Sequence, residues 1–438
     1  MIIEILEGLL GFTIILMVAY LVRHFIFAMT VLRTSKKPLN TSIQSSFEPS
    51  VTILIPAKNE EKVIGRLLQR MTELTYTKSK LQIIVIDDDS TDNTAKITDT
   101  YMKRHHFIHI IHRRAPRAST GKASAMNDGL RIATGEITLC FDADYYPQKD
   151  IIERLTQAFI DPTVGAVQGR VVVLNEPDNI ITRLVALERV GGYRVDQEAR
   201  DVLGLIPQFG GTVGGFKSSI LRRIGGWDES VLAEDTDLTY RIYLAGYIVR
   251  YVVNAECYEE AVNTWKAYRR QRYRWAKGHI QCYFKHSMNV IRSDKLKIRQ
   301  KIDGLLLLNL YCMPTIVFFS FFVGLYLLVS QFSGIGDVYF ASFFWIAPFS
   351  FYSFIGNFAP FFEVGIGLYL DGRKRTQWLI PLSIVTFIFN MPICTLALIA
   401  VIFGKIRRKD RHAWTKTAHL GNGNSYVNNS IKAGSLWE

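Results

Sequence analysis

The chain has 438 residues, 49% of them hydrophobic, and a formal net charge of +13 at pH 7. Its mean hydropathy is +0.12, which is unusually high for a purely soluble protein. The basic residues gather at the edges of long apolar runs. Their expected partners are therefore the anionic headgroups of a lipid bilayer, and nucleic acid is a poor candidate. Five cysteines without close pairing or metal-type spacing indicate structural thiols in a reducing compartment.

Four apolar runs are long enough to cross the roughly 30 Å hydrocarbon core of a bilayer. They lie at Ile5–Val22, Leu305–Ser330, Tyr339–Leu370 and Trp378–Phe403. The first run opens with acids rather than cations and has no small-residue cleavage site, so it is interpreted as a retained anchor and not as a signal peptide. The basic residues that follow it predict an external amino terminus and a cytoplasmic location for residues 34–301.

The fourth run raises a question of membrane topology, because three crossings from an external amino terminus already return the chain to the cytoplasm. A simple crossing there would place the basic stretch "KIRRKDR" on the outer face of the membrane. The positive-inside rule therefore favours a hairpin or a surface-lying pair of helices within Trp378–Phe403, a run that contains two prolines and Asn390.

From residue 50 onward, short β-rich runs alternate with amphipathic helices. Runs of buried-strand length lie at 51–57, 81–90, 106–113 and 136–144. Helical patterns lie between them at 60–75, 92–103 and 122–133. This alternation predicts an α/β fold with a largely parallel sheet, in which ligands bind at the carboxyl ends of the strands.

Carboxylates follow two of the predicted strands, at the edge where ligands are expected. Asp87 and Asp88 belong to "DDDS", which ends the second run, and Asp142 and Asp144 belong to "DAD", which ends the fourth. Helix capping explains Ser90 before "TDNT", but it explains crowded carboxylates poorly because they repel one another. A hard divalent cation that bridges diphosphate oxygens would relieve that repulsion.

The stretch "STGKASAMN" resembles a phosphate-binding loop only superficially. The upstream glycine of the Walker pattern is missing, and Ala123 stands where serine or threonine is needed, so an ATP-hydrolysing site is not expected. Lys122 at the start of a predicted helix is either an anion contact or an ordinary surface lysine.

Seven motifs in a fixed order carry a family resemblance: "PAKNEE", "DDDSTDNT", "GKASAMN", "DAD", "FGGTVGGFKSSIL", "AEDTDL" and "QRYRW". Together they resemble the membrane-bound, processive family 2 glycosyltransferases, similar to synthases of cellulose, hyaluronan and, most of all, poly-N-acetylglucosamine. The resemblance covers residues 51–275 and extends into the apolar runs that follow. It implies a GT-A-like nucleotide-sugar-binding domain with a mixed, largely parallel sheet, and transmembrane α-helices at both ends.

The resemblance also implies the domain organisation of a multi-pass protein of the cell membrane. The expected parts are an amino-terminal transmembrane anchor at 1–33, a cytoplasmic glycosyltransferase domain at 48–285, interfacial and transmembrane helices at 286–410, and a cytoplasmic tail at 411–438.

The resemblance assigns binding roles to residues of these motifs. The implied donor is a UDP-sugar, either UDP-N-acetylglucosamine or UDP-glucose. The implied donor-binding residues are Asn59, Glu60, Asp87 and Asp88 for the uridine end, and Lys122, Asp142, Gln271 and Arg274 for the diphosphate or the acceptor end. Asp142 and Asp144 would place Mg²⁺ or Mn²⁺, with Asp144 the stronger candidate for direct ligation.

An inverting displacement needs one carboxylate to take the acceptor's proton while another group stabilises the leaving phosphate. Asp235 of "AEDTDL" is the implied catalytic base. Glu234 and Asp237 compete with it, since residues one or two apart on a helix do not share a face. Glu234 also suits the first turn of a helix, where the macrodipole favours an acid, and we expect it on the acceptor side.

The glycine run upstream of these acids would let a backbone pass close to the sugar. It comprises Gly210, Gly211, Gly214 and Gly215, of which Gly211 is the predicted acceptor contact. For Gly214 and Gly215, a tight turn before a helix is the competing interpretation.

A spacing of i, i+3 and i+4 separates Gln271, Arg274 and Trp275, so on a helix these residues share one face. The indole of Trp275 would stack beneath the terminal sugar of the acceptor, because the C–H face of a pyranose is apolar and the ring face is electron-rich. The competing interpretation is a tryptophan of the membrane-interface belt.

The implied enzyme is a hexosyl or N-acetylhexosaminyl transferase. It would extend the non-reducing end of a growing β-linked polysaccharide, as in biofilm exopolysaccharide synthesis, and pass the chain through the membrane, with accessory membrane subunits as candidate partners. The alternative is a non-processive transferase that glycosylates a membrane lipid such as diacylglycerol. A transporter with a nucleotide-binding regulatory domain is disfavoured, because the apolar runs are few and lack repeats or paired charges.

Overall fold

The computed structural model describes residues 2–35, 47–332, 359–407 and 421, with the side chains of 328–332 and 405–407 left out. Its largest element is an eight-stranded sheet. The strands are β1 (Val51–Ala57), β2 (Leu81–Asp88), β3 (Ile108–Arg113), β4 (Ile137–Cys140), β5 (Tyr146–Pro147), β6 (Val164–Val173), β7 (Gly214–Lys217) and β8 (Ile248–Glu259).

The strands are arranged in the order β3-β2-β1-β4-β7-β6-β8-β5. The first four are parallel, whereas β7 runs antiparallel to both β4 and β6, and β5 runs antiparallel to β8. The predicted α/β fold with a mixed, largely parallel sheet is confirmed. The predicted strands at 51–57 and 81–90 match β1 and β2, whose continuous apolar runs reflect burial on both faces: Ile53 packs in one core and Leu54 in the other.

Gly214 and Gly215 lie inside β7, between two other strands. A Cβ atom on Gly214 would come within 2.2 Å of the Val167 carbonyl oxygen, and one on Gly215 within 2.1 Å of the Thr138 carbonyl oxygen. The interpretation of these two glycines as a tight turn is therefore wrong. They allow three neighbouring strands to pack closely.

Helices cover both faces of the sheet. They are α2 (Ile64–Thr72), α3 (Thr94–Arg104), α4 (Lys122–Ile132), α5 (Ile151–Thr156), α6 (Ile180–Arg189), α7 (Glu198–Val202), α8 (Ser218–Arg223), α9 (Glu234–Leu244) and α10 (Trp265–Arg292), after α1 (Ile2–Thr34) near the amino terminus. A π-helical segment, Val190–Gln197, joins α6 to α7. The three helices predicted between the first strands are present, although α2 is shorter than the predicted range 60–75.

Beyond α10, the described chain forms α11 (Ile298–Asn309), α12 (Met313–Phe332), α13 (Ala359–Leu370) and α14 (Ser383–Arg407), with a 3₁₀ helix at Lys374–Leu382. Among the described residues, two helical stretches are long and apolar enough to cross a membrane, Ile2–Thr34 and Lys374–Gly404. Helices α11 and α12 would add a third if this pair, bent by 71°, forms one span. Apolar helices of membrane-spanning length at both ends are therefore confirmed. The predicted run Tyr339–Leu370 lies outside the described residues until Ala359.

The hairpin predicted within Trp378–Phe403 is wrong. Helix α14 continues without a break past Asn390 and Pro392, and the residues before it form the 3₁₀ turn that contains Pro381. Pro381 lies inside the 3₁₀ helix, before the α-helix begins at Ser383, and Pro392 lies inside the α-helix, where its missing N–H removes one helical hydrogen bond.

A buried ionic cluster joins α1 to the rest of the protein. Arg23 lies 2.6 Å from Asp196 of the π-helical segment and 3.1 Å from Asp303 of α11. The adjacent His24 lies 2.9 Å from Glu363 of α13. Burying so many charges is favourable only when each finds its partner, so this cluster fixes the position of α1 against the other three elements.

Candidate active site

Two loops at the carboxyl ends of β1 and β2 are hydrogen-bonded to each other. The Asn59 N–H donates to Ser90 Oγ at 2.9 Å, and Asn59 Oδ1 accepts from the Thr91 N–H at 2.7 Å. The Glu60 N–H donates to Thr94 Oγ1 at 2.7 Å. Asn59 and Glu60, the predicted donor-binding residues, thus belong to two linked loops at the edge of the sheet where a ligand is expected.

Asp87 and Asp88 are buried at the end of β2, and their carboxylates contact protein groups. Asp87 Oδ2 lies 2.9 Å from His112 Nδ1, and both carboxylate oxygens of Asp88 accept from the Ser119 N–H at 3.0 Å. The hydrogen bond to Asp87 raises the pKa of His112 above its usual value, against the opposing effect of burial. Asp87 therefore contacts strand β3, and Asp88 positions the loop that leads to α4.

Lys122, the first residue of α4, joins two acidic motifs. Its Nζ lies 2.6 Å from Asp142 Oδ1, 3.1 Å from the Gly211 carbonyl oxygen and 3.9 Å from Glu234 Oε1. Burial disfavours the charged form, yet Asp142 and Glu234 together raise the pKa of Lys122. The interpretation of Lys122 as an ordinary surface lysine is wrong, because its ammonium lies in the crevice between carboxylates.

Helix α9 starts with the acids Glu234 and Asp235, and Gly211 lies against the second. A Cβ atom on Gly211 would come within 3.2 Å of Asp235 Oδ2, and the φ angle of Gly211 is +81°, which favours glycine. Burial raises the pKa of Glu234 to about 7; Lys122 counteracts this rise and Asp235 adds to it. The structure therefore brings Lys122, Asp142, Gly211, Glu234 and Asp235 together.

Asp237, the third acid of "AEDTDL", has a structural role. Its carboxylate is fully buried and lies 2.6 Å from Arg241 Nε, 2.5 Å from Lys285 Nζ and 2.8 Å from His286 Nε2. Burial opposes ionisation, but these three partners lower the pKa of Asp237 below its usual range. Asp237 is thus excluded as the base, which leaves Asp235 and its neighbour Glu234.

The glycine loop is held by side chains that the sequence analysis did not single out. Gln168 of β6 accepts from the Gly210 N–H at 2.7 Å, and Thr239 Oγ1 accepts from the Phe209 N–H at 3.0 Å. Thr212 Oγ1 accepts from the Asp142 N–H at 3.0 Å, which ties the loop to "DAD". These residues belong to distant segments with no local signal, so only the three-dimensional fold shows their function.

Asp144 is 7% exposed and lies close to other acids. Burial raises its pKa well above the usual value, and Asp142 and Glu259 raise it further. A bound divalent cation would offset the free-energy cost of ionising this buried carboxyl beside other acids. Within the described part of the chain, no group of three or more His, Cys, Asp or Glu side chains is arranged to hold a metal ion. A cation held by Asp142 and Asp144 would therefore need further oxygen ligands, such as water or the oxygens of a bound diphosphate.

Helix α10 packs against the start of α9 through Gly278. A Cβ atom there would come within 2.6 Å of the Ala233 backbone nitrogen, directly before Glu234. Arg274 lies one turn earlier on the same face of α10, and its charge counteracts part of the burial-driven rise in the pKa of Glu234. Gln271 lies one further turn away along α10, and its role in the site stays a prediction.

The indole of Trp275 is partly exposed and lies beside two guanidinium groups. The Arg272 carbon Cζ is 4.6 Å from the ring centroid, and that of Arg189 is 5.2 Å. Arg189 also contacts both carboxylate oxygens of Glu259, at the end of β8. Trp275 therefore has neighbours from α6 as well as from its own helix, on the side of α10 toward the sheet.

Residues 52–224 match the family model for glycosyl transferase family 2. This match covers less than half of the chain. The match agrees with the family resemblance of the motifs that lie within these residues. The Pyrobaculum calidifontis mannosyltransferase PcManGT, solved with GDP-Man and Mn²⁺, shares the fold of this chain: the TM-score is 0.62 at 23% identity, covering 91% of this chain and 99% of that one. The GT-A-like fold is thereby confirmed.

Curated proteins similar to this chain carry different names. The chain is 38% identical over 232 residues to the probable glycosyltransferase YdaM of Bacillus subtilis, covering 53% of this chain and 55% of that protein. It is 35% identical over 268 residues to the beta-monoglucosyldiacylglycerol synthase of Synechocystis sp., covering 61% and 55%, and 27% identical over 268 residues to the poly-beta-1,6-N-acetyl-D-glucosamine synthase of Staphylococcus epidermidis, covering 60% and 63%. The matches thus span less than two thirds of each relative.

Proposed function

We propose that this protein transfers a sugar, with inversion, from a nucleotide-sugar to an acceptor hydroxyl delivered at a membrane surface. The observation that carries this proposal is the convergence of Lys122, Asp142, Glu234 and Asp235 in one crevice. Two of these are acids on the first turn of a helix and one is a partly buried cation. Acid–base chemistry beside a diphosphate requires these groups.

In the proposed reaction, the acceptor oxygen forms a bond to the anomeric carbon as the bond from that carbon to the diphosphate oxygen breaks. Asp235 takes the proton of the acceptor hydroxyl, and the electron pair of the broken bond leaves with the diphosphate. Lys122 and Arg274 stabilise the charge that develops on the leaving group. Glu234, whose carboxyl remains largely protonated below pH 7, would contact the acceptor.

The proposed cofactor is Mg²⁺ or Mn²⁺, held by Asp144 with Asp142 and the donor's own oxygens. The buried acidic character of Asp144 fits such a cation, and the mannosyltransferase of the same fold was solved with Mn²⁺. When bound, the cation would neutralise charge on the leaving diphosphate. The donor we propose is UDP-N-acetylglucosamine or UDP-glucose, with its uridine against the loops that contain Asn59, Glu60, Asp87 and Asp88.

The proposed acceptor is the non-reducing end of a growing β-linked polysaccharide, which Trp275 would hold by stacking while leaving it free to slide. A membrane lipid such as diacylglycerol is the second candidate. It is favoured by the higher identity to the beta-monoglucosyldiacylglycerol synthase, 35%, than to the poly-beta-1,6-N-acetyl-D-glucosamine synthase, 27%. Both candidates use the same donor crevice.

The proposed location is the cell membrane, with several crossings and the domain at 48–285 in the cytoplasm. The apolar helices at both ends support it, as do the basic residues that follow α1. Accessory membrane subunits remain proposed partners. Labelling of single engineered cysteines with a membrane-impermeant reagent tests the orientation: reaction in intact cells of a site within 48–285 would contradict it.

Product analysis tests the proposed function. Purified full-length protein in lipid nanodiscs would be incubated with a panel of radiolabelled nucleotide-sugars, with and without diacylglycerol. Label in a precipitable chain that linkage-specific glycosidases digest would support the polymer reaction, whereas a single sugar in the organic phase would establish the lipid reaction. Absence of transfer from every nucleotide-sugar would overturn the proposal.

A further inference from the structure

The helix beneath the glycine loop is a π-helix over Val190–Gln197, between α6 and α7. π-Helices are rare, mostly confined to single turns, and frequent at functional sites, because the wider turn redirects side chains. Tyr193 lies in this segment and is partly buried. The π-helical turn therefore gives this tyrosine a direction that a regular helix would not.

The hydroxyl of Tyr193 lies at the glycine loop of the crevice. A Cβ atom on Gly210 would come within 2.8 Å of Tyr193 Oη, and the next residue, Gly211, faces Asp235. Burial raises the pKa of Tyr193 to about 12; Arg189 counteracts this rise, and Glu259, Asp235 and Asp142 add to it. The hydroxyl thus stays protonated near neutral pH and lies within electrostatic range of the reacting groups.

The ring of Tyr193 is held from two sides. The Arg189 carbon Cζ lies 5.8 Å from its centroid, and the ring of Tyr251 lies 6.5 Å away. The same guanidinium of Arg189 lies 5.2 Å from the centroid of Trp275. Arg189 therefore sits between the proposed sugar platform and the tyrosine, with its charge balanced by Glu259.

We propose that Tyr193 is an acceptor-binding residue, whose hydroxyl hydrogen-bonds the acceptor next to its attacking oxygen and orients that oxygen toward Asp235. This inference rests on the proposed function and adds to it a contact that the motif order does not assign. The contact suits the sugar or glycerol hydroxyls of either acceptor class, and it leaves donor binding to Lys122 and the loops of β1 and β2.

Tyr251 provides a matched control. Its hydroxyl is buried and has no hydrogen-bond partner among the described residues, although its ring is a neighbour of Tyr193. Tyr193→Phe and Tyr251→Phe therefore remove the same atom from adjacent rings, one at the crevice and one in the interior.

The test measures initial rates with a saturating UDP-sugar and a varied acceptor, using a short β-linked oligosaccharide and, separately, diacylglycerol in mixed micelles. Tyr193→Phe is expected to raise the acceptor KM about tenfold, which is the effect of one lost hydrogen bond. The donor KM should stay unchanged, and so should the rate at which UDP is released from the UDP-sugar when no acceptor is present. Tyr251→Phe is expected to match the wild type in all three. The inference would be overturned if both variants had the same acceptor KM, or if Tyr193→Phe raised the donor KM as much as the acceptor KM.

A second set of variants tests the geometry directly. Gly210→Ala should push against the Tyr193 hydroxyl and raise the acceptor KM, but it should have little further effect in the Tyr193→Phe background, where that oxygen is gone. Additive effects would contradict the proposed contact. Failure of the proposed function itself would appear differently, as absence of sugar transfer by the wild-type protein.

Discussion

Lys122 Nζ lies 2.6 Å from Asp142 Oδ1 and so links the start of α4 to the end of the fourth strand. The same ammonium lies 3.9 Å from Glu234, which makes it a shared cation for two acidic motifs that are far apart in the sequence. A diphosphate that enters this crevice would find a positive charge already positioned by the protein, which reduces the reorganisation needed on binding.

Lys122→Met should therefore weaken UDP binding by about tenfold or more, since a charge-assisted contact in a partly buried site contributes roughly 1.5–3 kcal/mol. Isothermal titration calorimetry with UDP and Mn²⁺ measures this effect. Lys96→Met is the control, because Lys96 is an exposed residue of α3. Equal UDP affinity in the two variants would remove Lys122 from the donor site.

The second prediction concerns pH. Burial raises the pKa of Glu234 to about 7, so its carboxyl is mostly neutral below that pH and gains a negative charge above it. The added charge competes for Lys122 and repels the diphosphate, so the donor KM should rise as the pH increases through 7. Glu234→Gln should make the donor KM nearly independent of pH in this range. A wild-type KM that stays flat, or a variant that retains the full dependence, would contradict this assignment.

The third prediction concerns stability. Asp237→Asn should lower the free energy of unfolding by about 3 kcal/mol, because it weakens buried contacts to Arg241, Lys285 and His286. Denaturant unfolding of the protein in detergent measures the loss. Asp228→Asn is the matched control, because Asp228 also contacts Lys285 but is partly exposed. It should lower the free energy of unfolding by less than about 1 kcal/mol.

The sign of the pH dependence follows from the lowered pKa of Asp237. Its ionised form contributes stability above the ordinary aspartate pKa of about 3.9, and the contribution is lost as the pH falls through the lower folded value. The stability difference between wild type and Asp237→Asn should therefore narrow in acid. A difference that widens on acidification would exclude this ionic role.

The sequence predicts the parallel half of the sheet well. Residues 51–57 form β1 as expected, and Lys122 starts α4, because continuous apolar runs and amphipathic helices are local signals. The reversed strand β7 was not anticipated. Its sequence contains Gly214 and Gly215, and such a glycine pair is typical of a turn. Their position inside a strand becomes clear only from the close contacts with the neighbouring strands.

The sequence also identifies most of the crevice, because its acids lie at strand ends or in one short motif. The residue pattern alone does not separate Asp235 from Asp237, since two of the three partners of Asp237, Lys285 and His286, come from α10, distant in sequence. Tyr193 was missed for a related reason: its position depends on a π-helical turn and on close approach to Gly210, neither of which has a sequence pattern.

The most direct test of the proposed chemistry is the rate of sugar transfer by Asp235→Asn under saturating donor, compared with the wild type in the same nanodiscs. Loss of the general base should lower kcat by about 100-fold or more, while UDP affinity stays within about twofold, because Lys122 and the nucleotide loops are untouched. A variant that binds UDP normally and transfers sugar at the wild-type rate would contradict the role of Asp235 as the base.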